Sequence, residues 1–172
     1  MYVNVMHVNL TCITPPESMA QLIDCVGVDA VVEQLLAQRG ITTFEGAKSF
    51  LRPHIGQLHD PFLMKDMDKA VARLQQAIDQ KEAVMVYGDY DVDGTTSVSL
   101  LTHFLRSQGL DVTPYIPDRY AEGYGLSKKG IDTAKAANIK FMIALDCGVK
   151  AIEQVAYAKT LGMELIICDH HT

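Results

Sequence analysis

Long apolar runs are missing from this sequence. No stretch approaches the roughly 20 residues that a membrane-spanning helix requires, so no membrane protein of that kind is expected. Paired cysteines are missing as well. Cys12, Cys25, Cys147 and Cys168 show no C-x-x-C spacing, which suggests neither a zinc site nor a disulfide framework. Reduced thiols in a cytoplasmic protein are the default reading. Residues 1–10 lack a basic stretch and a small-residue cleavage site, so no secretory signal is expected. There is no excess of cations. Lys and Arg total 15 against 21 Asp and Glu, for a net charge of −6. With a pI of about 5.4, a surface that holds nucleic acid by charge alone is excluded. A nucleic-acid enzyme is not excluded, because metal-site carboxylates add negative charge and bound cations reverse the local sign. Internal repeats and a nucleotide-binding glycine fingerprint are also absent.

What is there suffices for one domain with a good core and a small appendage. The 172 residues are 48% hydrophobic and 21% charged, ordinary values for a globular protein. Residues 1–17 read as a leader ending in Pro15-Pro16, with no function assigned. Residues 18–82 read as a helical N-terminal segment expected to pack on the domain that follows. Val28, Val31, Val32, Leu35 and Leu36 recur at helical spacing before Gly40. Thr43 is placed to cap a second helix carrying Phe44, Ala47, Phe50 and Leu51, with Pro53 just past its end. Asp60-Pro61 marks a turn, and a third helix is predicted over 66–80. These apolar stripes read as core, and nothing in residues 1–82 looks catalytic.

From residue 83 the pattern changes. Apolar runs at 83–87, 112–116, 141–145 and 164–168 alternate with helical stretches at 95–108, 127–137 and 150–161. Gly109, Asn138 and Gly162 stand where helices should stop. Apolar strands separated by single helices predict an α/β domain, with a parallel sheet covered by helices on both faces. Polar clusters follow each strand: Asp89–Asp93, Pro117-Asp118-Arg119, Asp146-Cys147-Gly148 and Asp169-His170-His171. All four lie beyond the carboxyl ends of their strands, the edge where open parallel sheets bind ligands.

Asp89-Tyr90-Asp91-Val92-Asp93-Gly94 sets three carboxylates directly after a buried strand, where repulsion and desolvation call for a divalent cation. An ordinary acidic loop is the plainer reading. An EF-hand is rejected, because the twelfth loop position is Leu100 and the preceding flank is strand-like. Asp146 alone suits a helix cap as well as a metal; beside the acidic loop, metal is preferred. Asp169, His170 and His171 together suggest a metal or phosphate role. Neighbouring side chains on an extended segment diverge, so one His should bind metal while the other orients it or meets substrate. Thr95, Thr96 and Ser97 are expected to cap the helix after the acidic loop. The glycine-rich stretch 119–127, followed by Lys128 and Lys129, reads as a flexible loop entering a capped helix. It also offers Arg119 as a phosphate fork and Tyr124 as a stacking face or hydroxyl donor.

Carboxylates plus imidazole suggest two-metal hydrolysis of a phosphodiester, with ions roughly 3.5–4 Å apart. Asp91 and Asp93 would hold the ions, Asp146 would bridge or share them, and His170 would complete one shell. Asp89 would be a ligand or an anchor behind the ligands.

The motifs Tyr87-Gly88-Asp89-Tyr90-Asp91-Val92-Asp93-Gly94, Ile116-Pro117-Asp118-Arg119, Glu122-Gly123-Tyr124-Gly125-Leu126-Ser127, Asp146-Cys147-Gly148 and Cys168-Asp169-His170-His171 stand in order. Together they resemble the motif set of the DHH phosphoesterase superfamily, and within it RecJ-type single-stranded-DNA-specific exonucleases. Arg39-Gly40-Ile41, Phe50-Leu51-Arg52-Pro53 and His59-Asp60-Pro61-Phe62-Leu63 extend the likeness. The resemblance implies Mn²⁺- or Mg²⁺-dependent 5′-to-3′ digestion of single-stranded DNA in recombination and repair. It implies two ions, held by Asp91, Asp93, Asp146 and His170, with a supporting or substrate role for Asp89 and His171. It implies that Arg119 and Tyr124 meet the 5′ end of the strand, with Ser127 and His171 also binding substrate. Single-strand-binding protein and helicases are the implied partners. Residues 83–172 would then be a DHH domain cut short at its C-terminal end, because family members continue with a further metal-ligand Asp and more domains. The 172 residues alone are therefore expected to fold partly, bind metal weakly and cleave little. Rival readings are another DHH-type phosphodiesterase or pyrophosphatase, whose first motif is typically led by His, and a non-catalytic DHH-like scaffold.

Overall fold

A computed structural model describes residues 29–171. The leader 1–17, Val28, Cys12, Cys25 and Thr172 lie outside the described residues. The chain divides into two compact units at Asp60/Pro61.

In the first unit, helix α1 spans Ala30–Gln38 and is capped by Asp29, which accepts from the Val31 N–H at 2.9 Å. Gly40, at φ +76°, ends it as expected. Helix α2 spans Phe44–Leu51, and Thr43 caps it by accepting from the Gly46 N–H at 3.1 Å. The apolar stripes are less buried than periodicity suggests. Leu36 and Ala47 are buried, but Val31, Leu35, Phe44 and Phe50 are exposed, Phe50 at 54%. Periodicity registers which side chains share a face, not what covers it.

The second unit opens with a 3₁₀ turn at Pro61–Leu63 and helix α3, Met67–Gln80. Helix α3, the last part of the segment 18–82, packs on the sheet. Its Leu74, Ala77 and Ile78 pack against Val84, Val86, Phe141 and Ile143. There follow β1 (Val84–Gly88), α4 (Val92–Ser107), β2 (Val112–Tyr115), α5 (Lys128–Ala136), β3 (Phe141–Leu145), α6 (Ile152–Thr160) and β4 (Glu164–Cys168). All strand pairs are parallel, in the order β2-β1-β3-β4.

β1 and β3 are buried throughout, which is why they read as unbroken apolar runs rather than alternating ones. Met85, Tyr87, Met142 and Ala144 meet Ile131 and Ala134 of α5 and Ala158 of α6 on one face. Val84, Val86, Phe141, Ile143 and Leu145 meet α3 and Val98 and Leu105 of α4 on the other. Gly109, Asn138 and Gly162 all adopt positive φ at helix stops. Helix α4 begins three residues before its predicted start. Asp91, not Thr95, caps it, accepting from the Gly94 N–H at 2.9 Å. The Thr95 hydroxyl instead donates back to the Asp91 carbonyl at 2.7 Å.

Candidate metal centre

Sheet register builds the site. Gly88 pairs with Leu145, and Leu145 with Cys168. The next residues are Asp89, Asp146 and Asp169, so three neighbouring strands end in three carboxylates side by side, one strand spacing of roughly 4.8 Å apart. The strand order reverses direction between β1 and β3, and Asp89 and Asp146 follow those two strands. The loops diverge at such a reversal and leave a crevice.

Each carboxylate is held differently. Asp89 is only 2% exposed, and its Oδ1 has no hydrogen-bond partner among the described residues. Burial pushes its pKa above the usual carboxylate range; the Tyr90 N–H opposes this, and the charges of Asp91 and Asp146 add to it. Asp146 sits at φ +59°, a left-handed conformation that Asp tolerates better than most residues. Its Oδ1 lies 3.2 Å from His170 Nε2. Asp169 is a holder. Its Oδ2 accepts from the Val149 N–H at 2.9 Å, and its Oδ1 lies 2.7 Å from His171 Nδ1. Burial works to raise the Asp169 pKa, but those donors outweigh it and hold the carboxyl below its ordinary value. The same hydrogen bond raises the pKa of the His171 ring.

The two histidine rings do not diverge as expected. Their centroids lie 4.5 Å apart at a 30° tilt. β4 ends at Cys168, so the alternation of a strand no longer governs residues 170 and 171. Their partners still differ, Asp146 for His170 and Asp169 for His171.

Among the described residues, ligand atoms of Asp146, His170 and His171 lie within 4.8 Å of one another. Asp89 and Asp91 couple electrostatically to this group, as the shifts of Asp89 and His171 show. Asp93 is exposed in the first turn of α4 and outside the converging trio. The donor set is oxygen and imidazole, with one buried carboxylate oxygen unsatisfied, which suits a hard or borderline divalent cation. The neighbouring Cys147 is buried. Burial first, then the charges of Asp89, Asp169 and Asp146, push its thiol up to about 12.

The loop after β2 reaches the same rim. Tyr124 Oη lies 3.3 Å from His171 Nδ1, and its ring meets Tyr90 edge-on at 6.5 Å. The Arg119 guanidinium stacks over Tyr90 at 5.1 Å. Ser127 is turned inward. It caps α5 through the Gly130 N–H at 2.9 Å and donates to Glu122 at 2.6 Å. A cleft of about 720 Å³ opens beside the histidines, lined among others by Tyr124, Leu126, Val149, Lys150 and Gln154. Tyr90 and Glu122 carry no signal in the sequence beyond membership of the motifs. Their roles depend on which loops meet.

Comparison with known proteins places this geometry. Residues 83–172 match the DHH family, N-terminal domain. The chain is 39% identical over 155 residues to the single-stranded-DNA-specific exonuclease RecJ of Bacillus subtilis, covering 90% of this chain and 20% of that protein. The crystal structure of RecJ from Thermus thermophilus in complex with Mn²⁺ superposes with a TM-score of 0.67 at 26% identity, over 94% of this chain and 22% of that one. The corresponding Mg²⁺ complex gives 0.56 at 25% identity, over 94% and 19%. The chain thus spans about a fifth of the length of these relatives. The match over residues 83–172, more than half of the chain, makes this chain a member of the DHH family.

Proposed function

We propose that this chain supplies the divalent-metal site of a 5′-to-3′ exonuclease acting on single-stranded DNA in recombination and repair. The observation that carries the reading is the row of Asp89, Asp146 and Asp169 at the sheet reversal, with a buried, unpartnered oxygen on Asp89 and two imidazoles alongside. Asp91, Asp146 and His170 are assigned as ligands of two Mn²⁺ or Mg²⁺ ions. Asp89 serves as a further ligand or as the buried anchor behind them. The assignment of Asp93 rests on the motif alone. The chemistry such ions supply when bound is polarisation of a phosphodiester and activation of water. His171, kept protonated to higher pH by Asp169, presents positive charge and a proton toward the phosphate. Arg119 and Tyr124 receive the 5′ end through a guanidinium fork and an aromatic face. Ser127 serves the strand indirectly, through the loop it anchors. The proposed setting is the cytoplasm, with single-strand-binding protein and helicases as partners. Among the described residues no helix is long and apolar enough to cross a membrane.

A substrate panel tests the reading. Binding and turnover of 5′-phosphorylated single-stranded DNA, pyrophosphate and a cyclic dinucleotide by the full-length gene product are compared in Mn²⁺. Preference for DNA, lost together with Mn²⁺ binding in Asp91→Ala and Asp146→Ala, supports it. Preference for either small phosphate compound, or calorimetric Mn²⁺ binding unchanged in both variants, overturns it.

A further inference from the structure

The loop between β2 and α5, residues 116–127, carries Arg119 and Tyr124 and belongs to no helix or strand. Its shape is held by Glu122, whose side chain is 4% exposed. Glu122 Oε2 accepts from the Tyr115 hydroxyl at 2.9 Å and the Ser127 hydroxyl at 2.6 Å. Oε1 accepts from the Asp118 N–H at 3.0 Å and lies 3.5 Å from Lys129 Nζ. These partners sit at the end of β2, in the first turn of the loop, at the cap of α5 and within α5. One carboxylate therefore gathers both ends of the loop and its middle.

Every partner is a donor, and a carboxylate is acceptor-only. Ser127 shows why this matters. Its oxygen already accepts from the Gly130 N–H at 2.9 Å, so its proton is free to point at Glu122. Burial opposes ionisation of Glu122, but the surrounding donors outweigh it and hold the pKa below the ordinary value. Around this hub the Asp118 carboxylate accepts from the N–H groups of Tyr120 and Ala121, both at 2.9 Å. The Tyr87 hydroxyl donates to the Gly125 carbonyl at 2.7 Å and accepts from the Ser127 N–H at 3.1 Å.

We propose that Glu122 is a positioning residue: its buried carboxylate locks residues 116–127 in the shape that sets Tyr124 against His171 and Arg119 over Tyr90, and so governs how tightly a 5′ end is held. The strand-holding part of this rests on the function proposed above. Among the described residues, the hydrogen-bond and ion-pair partners of Glu122 include none of the proposed metal ligands. Its loss should therefore separate strand binding from metal binding, a separation that general unfolding would not produce.

The test compares wild type, Glu122→Gln and Tyr115→Phe in the full-length gene product. Gln offers an amide donor where all partners are donors; Phe removes one donor and leaves the hub. For Glu122→Gln, amide exchange across 116–127 should quicken by about tenfold, the loss of one charge-assisted hydrogen bond. The Kd for a 5′-phosphorylated oligothymidylate, measured in Ca²⁺, should rise by a similar factor, while Mn²⁺ affinity by calorimetry stays within about twofold. Tyr115→Phe should fall between. Unchanged exchange in the loop, or Mn²⁺ affinity falling in step with oligonucleotide affinity, overturns the proposal. A wild-type full-length gene product that binds no oligonucleotide removes the DNA reading, whereas a quickened loop with intact Mn²⁺ binding still supports the placement of Tyr124 by Glu122.

Discussion

Asp89 stands at the end of a strand buried along its whole length, and no group among the described residues hydrogen-bonds its Oδ1. An ionised carboxylate in that position costs folding energy unless a cation or a proton offsets it. The folded pKa is raised, so the metal-free protein loses stability as pH rises from the ordinary carboxylate value through the folded one. Asp89→Asn should therefore stabilise the metal-free protein at pH 7 by on the order of 1 kcal/mol, or about 2–4 °C in Tm. The gain should fade as the pH is lowered through the carboxylate range, where Asp89 takes up its own proton. In saturating Mn²⁺ the order should reverse. Thermal melts in chelator and in Mn²⁺ across pH 4–8 check this. A variant less stable than wild type in chelator at pH 7 would refute the account.

The turn from β1 into α4 decides where the acidic residues point. A Cβ on Gly94 would meet the Asp89 carbonyl oxygen at 2.4 Å and its nitrogen at 2.6 Å. One on Gly88 would meet Val98 Cγ2 at 2.3 Å. The helix thus starts pressed against the backbone of Asp89, which is why it begins at Val92 and takes Asp91 as its cap. Gly94→Ala forces backbone apart from backbone, an overpacking that should cost about 3 kcal/mol. Because the displaced atoms belong to the acidic loop, Mn²⁺ affinity should fall with stability. Urea unfolding and Mn²⁺ titration of the same sample measure both. Lost stability with wild-type metal affinity would show that the close approach does not set the site.

At the scale of the second unit, the opposite rim has its own organising charge. Arg73 of α3 pairs with Glu82 at 2.8 Å and with Glu164 at the start of β4, and its guanidinium stacks over Phe141 at 4.0 Å. It clamps a helix to the amino ends of the strands, as the proposed metal site gathers their carboxyl ends. The Glu164 arm is exposed and contributes little. Arg73→Ala should cost roughly 1–2 kcal/mol, through the half-buried Glu82 and the lost packing on Phe141. Mn²⁺ affinity should be unchanged, since the clamp and the proposed ligands sit at opposite ends of one sheet. Equal losses in Tm and in metal affinity would contradict that independence.

The sequence by itself determined the alternation of strands and helices, the helix stops at Gly109, Asn138 and Gly162, and the fact that each strand ends in a polar cluster. These are local properties: burial on both faces enforces apolar runs, and a left-handed stop admits few residues. It also named the acidic and imidazole groups, because their spacing is written in the chain. Tertiary structure alone decided the rest. Register set Asp89, Asp146 and Asp169 abreast, and strand order opened the crevice between β1 and β3. Steric contact at Gly94 moved the start of α4, and the end of β4 freed both histidines to turn the same way. Glu122 became a hub only when a strand end, a turn and a helix cap met around it. Each of these depends on residues distant in sequence coming within a few ångströms, and no periodicity along one chain encodes that distance.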